Sequence, residues 1–383
     1  MYQEQFIGAQ VAAWRRRRGM SQRVLAGLAG ISQPYLSQIE TGSRPVERRS
    51  TVVALAEALQ VSVAELVGEQ SALTDSARAR AGLSVPAIRA AIIRRRVGET
   101  RPSNGASVDA AVAAITTADY VALGPMLPGL IGSATGPDLV RVGYAAMWYL
   151  NHMGYVDLAC GVADLALAEA QRDGSAAWLG IAEYVRACSL PPETALLSAE
   201  LAGRAADDLL PAVADPAVRQ AYGMLHLRAA SKAAAAGDAS VATAHLDEAA
   251  SEAATLGEPE DGHGLCSLAF GPTNVAMWRT AVHVELGKPD AAISAAQRVD
   301  PRRTPIPHRQ AWHWMSLGRA LAGVKRDDDA VMALLRAETA CPQWVRLRPE
   351  VRDTVNVILR RSHRRAIPAP LRRAAQMVGI EVK

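Results

Sequence analysis

Residues 20–42 read Met-Ser-Gln-Arg-Val-Leu-Ala-Gly-Leu-Ala-Gly-Ile-Ser-Gln-Pro-Tyr-Leu-Ser-Gln-Ile-Glu-Thr-Gly. The order of small, apolar and amide residues predicts a helix, a tight turn and a second helix. Ser21 supplies the short hydroxyl that caps a helix N-terminus. Leu25, Ala26 and Ala29 fall on one face of that helix. Gly30 stands where the chain must leave it, a position that tolerates left-handed backbone. Ser32 caps the second helix. Pro34 is accepted in its first turn because amides there have no intrahelical partner. Leu36 and Ile39 point inward, which leaves Gln33, Ser37 and Gln38 facing out. A helix with amide side chains at its N-terminal end can reach base edges in a major groove.

Working outward, residues 7–68 resemble the Cro/lambda-repressor-like helix-turn-helix family, also called XRE. The resemblance is carried by Gln22, Leu25-Ala26, Gly30-Ile31-Ser32, Leu36-Ser37, Ile39-Glu40 and Gly42, followed by Leu55-Ala56, Leu59-Gln60-Val61 and Leu66. It implies a five-helix DNA-binding domain over residues 1–68. It also implies roles for single residues. Gln22 matches a phosphate anchor at the start of the first motif helix. Gln33, Pro34, Ser37 and Gln38 match base-facing positions, where Gln can pair bidentately with adenine and Pro offers only apolar contact. Thr41 and Arg44 match positions that touch the DNA backbone, contacts that set register without reading sequence. Arg15 and Glu40 match an ion pair tying the first helix to the recognition helix.

Beyond this unit the chain is small and polar over 69–84, then reads as a helix over 85–97 with arginines at 89 and 94–96. Pro102 and Gly105 break the pattern again. Residues 69–106 are therefore expected to be a linker with a basic helix. From 107 to 383 the pattern is helical, with Pro and Gly mostly between helices and no alternating strand signal. A weak repeat runs through this region. Each unit has a helix with a large aromatic (Trp148, Trp178, Tyr222, Trp278, Trp312), a short turn, and a second helix with an early small residue (Ala159, Ala195, Ala242, Ala292, Ala330). This resembles tetratricopeptide (TPR) repeats, and the uneven spacing of the alanines leaves the exact register open. The whole layout resembles actinobacterial XRE regulators with a C-terminal TPR-like domain, a group in which the Phe270-Gly271-Pro272-Thr273-Asn274-Val275 segment recurs. Its domain order is also similar to that of the peptide-pheromone receptors called RRNPP. The expected fold is all-α: an N-terminal helix-turn-helix domain and a C-terminal helical-repeat superhelix.

Charge is segregated along the chain. The net charge is +7 over residues 1–105, −13 over 106–300 and +10 over 301–383. A basic head suits phosphates, and an acidic middle would be repelled by them. Arg360, Arg361, Arg364, Arg365, Arg372 and Arg373 in the basic tail either touch DNA or pair with the acidic middle. The four isolated cysteines argue for free thiols in a reducing cytoplasm, and no apolar run suits a signal peptide or membrane span. No phosphate loop, zinc motif or nucleophile elbow is present, so the sequence supports neither an enzyme nor a metal or cofactor site.

In stacked helical hairpins the first helices line the concave surface. Asn151 follows Trp148 by one helical turn, His226 follows Tyr222, and Asn274 precedes Trp278. These residues, with Trp178, are expected to form a ligand groove, its acidic surroundings favouring a neutral or cationic small molecule or peptide. The sequence-level expectation is a cytoplasmic transcription regulator that binds a palindromic operator in double-stranded DNA as a homodimer. The alternatives are a protein-interaction scaffold, or an antitoxin or phage-type repressor without a small ligand.

Overall fold

The first helices form where short side chains satisfy their free amides. In the computed structural model, which describes residues 7–46, 48–67, 80–100, 105–362, 367–380 and 382, Ser21 Oγ accepts from the Val24 amide and Ser32 Oγ from the Tyr35 amide. Five helices follow in order: α1 (Ile7–Arg17), α2 (Gln22–Leu28), α3 (Gln33–Thr41), α4 (Arg49–Leu59) and α5 (Val63–Val67). Gly42, in the left-handed region at φ 70°, ends α3. Val11, Leu25, Leu36, Ile39, Leu55, Leu59 and Leu66 close a core of their own.

A second, continuous core runs from Ala81 to Val378. Its first helix, α6 (Val85–Arg96), revises the expected linker: it packs on α8 (Tyr120–Ser133), which follows α7 (Val108–Thr116). Val85, Ile88 and Ile92 recur at helical spacing and are buried there. Its arginines turn toward acidic partners, Arg95 to Glu169 at 3.5 Å and Arg96 to Asp164 at 3.5 Å. Two prolines, Pro125 and Pro128, lie inside α8 rather than between helices. Positions 69–79 and 101–104 of the expected linker lie outside the described residues.

Five helical hairpins follow. They are α9 (Gly136–Met153) with α10 (Val156–Asp173), α11 (Ala176–Ser189) with α12 (Ala195–Leu209), and α13 (Pro216–Ala235) with α14 (Ala239–Leu256). The last two are α15 (Pro272–Glu285) with α16 (Pro289–Ala296), and α17 (Pro307–Gly323) with α18 (Asp327–Ala340). Each first helix packs on the next first helix, so they share one face of a superhelix. The repeat aromatics all fall on first helices and the small residues all fall on second helices. Short helix α19 (Pro342–Arg346), then α20 (Pro349–Ser362) and α21 (Ala369–Met377), close the C-terminal end. Among the described residues there is no strand, and no helix is long and apolar enough to cross a membrane.

The N-terminal domain rests on the last hairpins and α20. The Arg49 amide, at the start of α4, donates to Glu285 Oε2 at 2.9 Å. Asp353 on α20 accepts from the backbone amides of Ile7 and Val46. Arg48 lies against Gly287, where a Cβ would collide with its guanidinium. At the other end of the domain Arg360 Nη1 and Arg361 Nε reach the carbonyls of Thr41 and Ser43 at 3.3 and 3.4 Å. Carboxylates thus meet helix N-termini and arginines meet the end of α3, the polarity that the helix dipole favours.

Candidate DNA interface and effector cavity

The outward face of α3 carries Gln33, Pro34 and Gln38 exposed and Ser37 half-buried. Behind it stands a chain of hydrogen bonds. Arg15 makes a two-pronged contact with Glu40, Nε to Oε1 at 2.6 Å and Nη2 to Oε2 at 2.9 Å. Glu40 Oε2 also accepts from Gln22 Nε2 at 2.8 Å, and Gln22 Oε1 accepts from Gln33 Nε2 at 3.1 Å. A buried ion pair therefore orients Gln22, and Gln22 orients an amide on the presented face. Fixing a side chain before it meets its target lowers the entropy cost of the contact. Thr41 Oγ1 donates back to the Ser37 carbonyl at 2.9 Å, and the Arg44 guanidinium stacks over Tyr35 at 4.9 Å. Both residues remain exposed beside the face. Arg360 adds a guanidinium at the same edge, whereas Arg361 pairs with Asp327 at 2.7 Å and Arg373 with Glu338 at 3.6 Å. Two of the tail arginines thus neutralise acids of their own domain, while Arg372 donates to the Ile367 carbonyl; positions 364 and 365 lie outside the described residues.

Between the underside of this domain and the concave face lies a cavity of about 1190 Å³. Ile7, Val46, Arg49 and Val52 of the N-terminal domain form one wall. Trp148, Asn151, Trp278 and Trp312 from first helices form the opposite wall, joined by Tyr144, Tyr184 and Trp344. Its size is of the order of a usual small-molecule site, roughly 300–1,000 Å³, and slightly larger. Trp278 and Trp312 meet edge to face at 4.8 Å between ring centroids. Asn151 Nδ2 donates to the Cys188 carbonyl at 3.2 Å, which holds it at the cavity wall.

Four of the expected groove residues stand elsewhere. Tyr222 donates to Glu248 at 2.9 Å, and His226 meets His245 at 2.8 Å, both between α13 and α14. Burial and the neighbouring imidazole hold His226 down at about 4, so it is neutral near pH 7. Trp178 packs against the core away from the cavity. Asn274, almost fully buried, donates to the Leu268 carbonyl at 3.1 Å and braces the loop before α15. In that loop Cys266, Ser267 and Ala269 all hold positive φ, a strained run fixed by its surroundings. Phe270 of the same loop seats its ring on Gly223, where any Cβ would overlap it. The Phe270–Val275 segment is therefore a packing motif. Asn274 and Trp278 lie one turn apart on α15, but Trp278 lines the cavity and Asn274 meets the loop.

Sequence reasoning missed the cations of the cavity. Arg228, Lys232 and Arg309 line it and are each more than nine-tenths buried. Arg348 donates to His152 Nε2 at 2.9 Å and stacks over Trp344 at 4.1 Å. Burial, then the guanidiniums of Arg228 and Arg49, push the Lys232 ammonium well below its ordinary range. The expectation of a neutral or cationic ligand, drawn from the acidic middle, is corrected here. Those acids lie largely on the outside, as with Asp109, Asp164 and Asp247, while the cavity draws arginines from the basic last segment. The Arg228/Lys232 spacing on one helix was the signal that could have shown it. Among the described residues no group of side chains has the makings of a metal site.

The family described as a helix-turn-helix domain matches residues 7–67. No curated protein sequence matches the chain. Among solved structures, PlcR of Bacillus thuringiensis in complex with the peptide PapR7 and DNA aligns over 88% of this chain and 95% of that one. The two share 11% identity and a TM-score of 0.32, too low for that arrangement to guide this one. Residues 7–67 are a helix-turn-helix domain of the DNA-binding kind.

Proposed function

We propose that the chain is a sequence-specific transcription regulator, which reads DNA with α3 as a dimer and takes an effector in the cavity beneath the DNA-binding domain. The observation that carries the first part is the ordered relay Arg15–Glu40–Gln22–Gln33 behind an exposed amide face. Gln33 and Gln38 discriminate bases, Pro34 and Ser37 add contact, and Gln22, Thr41 and Arg44 hold phosphates. The effector part rests on the shared walls of the cavity. A ligand there touches the inner wall of the superhelix and the underside of the DNA-binding domain together. It can shift how that domain is held only by binding one arrangement more tightly than another. The protein acts without catalysis or cofactor, in the cytoplasm.

The test is to select DNA sequences with the pure protein and repeat the selection with Gln33→Ala and Gln38→Ala. Each good bidentate contact contributes about 1–3 kcal/mol of discrimination. Each variant is expected to relax preference at one or two base pairs and keep non-specific affinity. Unchanged preference in both would remove α3 from the reading.

A further inference from the structure

The charged groups around the cavity fall into two sets. Most of its carboxylates are engaged: Glu285 by Arg319 at 3.1 Å, Glu338 by Arg346 at 2.7 Å, and Asp353 by the backbone amides of Ile7 and Val46. The cations of the aromatic end are not engaged by acids. Among the described residues no carboxylate stands within ion-pair distance of Arg228, Lys232 or Arg309; Glu193, also on the cavity wall, acts on Lys232 only from farther off. Arg228 spends its donors on the Ala187 carbonyl at 3.0 and 3.3 Å. Arg309 hydrogen-bonds only the Leu268 carbonyl, at 3.5 Å, lies over the Trp278 ring at 5.9 Å, and its Nε has no hydrogen-bond partner among the described residues. The Tyr184 hydroxyl and the Trp278 indole N–H, both buried on this wall, also lack partners among the described residues.

Buried cations without counter-ions are costly, and buried donors without acceptors add to the cost. Several of them converging on one cavity make a site suited to an anion. We propose that Arg228, Lys232 and Arg309, with the Tyr184 hydroxyl, seat a carboxylate or similar single anionic group of the effector, whose apolar body lies against Trp148, Trp278 and Trp312. The acceptor oxygens of such a group supply what each donor lacks. The indole faces supply apolar area for a ring or chain of modest size. This rests on the reading that the cavity holds an effector, and it adds the class: an amphipathic organic anion.

The experiment uses a matched pair of fluorescent probes on the full chain, 1-anilinonaphthalene-8-sulfonate and its neutral parent N-phenyl-1-naphthylamine. The wild type is expected to bind the sulfonate at least about tenfold more tightly, the worth of one charge-assisted hydrogen bond. Lys232→Met keeps the apolar stem of a side chain with no ion-pair partner, so folding and DNA binding persist. It should weaken the sulfonate about tenfold, leave the neutral probe unchanged, and not lower the melting temperature. Lys232→Arg should restore sulfonate binding. Equal affinity for both probes, or a sulfonate affinity indifferent to Lys232→Met, would overturn the anion assignment and leave the effector cavity standing. If neither probe binds, the effector cavity itself is removed, and the anion with it.

Discussion

Glu40 is the residue that ties α3 to α1 and α2. Only 5% of its side chain is exposed, and it accepts from both Arg15 and Gln22. The hydrogen bonds that Arg15 donates to Glu40 raise the Arg15 pKa further. Such a pair gives little net stability over an apolar one, yet removing one member strands the other. Arg15→Ala and Glu40→Ala should therefore each cost about 3 kcal/mol of the domain's stability, with the double variant costing clearly less than the sum. Denaturant melts of the four proteins measure the coupling, and strict additivity would dissolve it. Glu40→Ala should also blur base preference at the position Gln33 reads, because the relay that orients Gln22 is gone.

At the scale of the element, α20 is the strut that joins the two domains. Its Asp353 sits under the N-termini of α1 and the segment leading into α4. This carboxyl stands at about 6: burial raises it most, the Ile7 and Val46 amides and then Arg319 pull against that, and Glu350 adds to it. Arg348 and Arg49 face Glu350 in the same cluster. A carboxyl that holds its proton more tightly in the folded protein than in the unfolded chain stabilises the fold at low pH. That contribution is full below the ordinary aspartate value and is lost as pH rises through about 6. Asp353→Asn mimics the protonated form. It should raise stability by about 1–3 kcal/mol at pH 7.5, a gain that shrinks as pH falls through about 6 and vanishes near 4. The buried histidines titrate alike in both proteins and drop out of the difference. Denaturant melts at five or so pH values between these limits check it, and a gain that does not vary with pH would refute the account of Asp353.

At the scale of the whole molecule, the charge segregation has a spatial sense. Acids of the middle segment pair with arginines from either side of it, as Glu169 does with Arg95 and Glu285 with Arg319, and with their own, as Asp247 does with Arg279. The exposed amides of α3 and Arg44 are not among the residues that line the cavity. One recognition helix covers few base pairs, and tight specific binding by this motif comes from two half-sites about 34–36 Å apart. The protein should therefore occupy its operator as two protomers on a palindrome. Sedimentation of the complex with a selected site checks this; one protomer per specific site would contradict it.

What the sequence determined by itself was local. The caps Ser21 and Ser32, the Gly42 stop and the buried Leu36–Ile39 pair act within one or two turns of chain, so the helix-turn-helix was legible from about twenty residues. The hairpins were legible for a related reason: an early alanine on each second helix lets its neighbour approach, and that need is the same wherever the hairpin lies. What each helix face meets was decided only by the tertiary structure. Trp148, Trp278 and Trp312 reach the cavity, while Tyr222 and His226, also on a first helix, turn to α14, because the neighbour a helix face meets is set by packing between distant segments. Asn274 went to a strained loop for the same reason. The helix Val85–Arg96 joined the second core because periodicity marks a buried face without naming what buries it. The cations of the cavity come from positions 228, 232, 309 and 348 and face a wall that starts at residue 7. Only folding puts such distant charges together, and whether each finds a counter-ion depends on that placement rather than on the net charge of any segment.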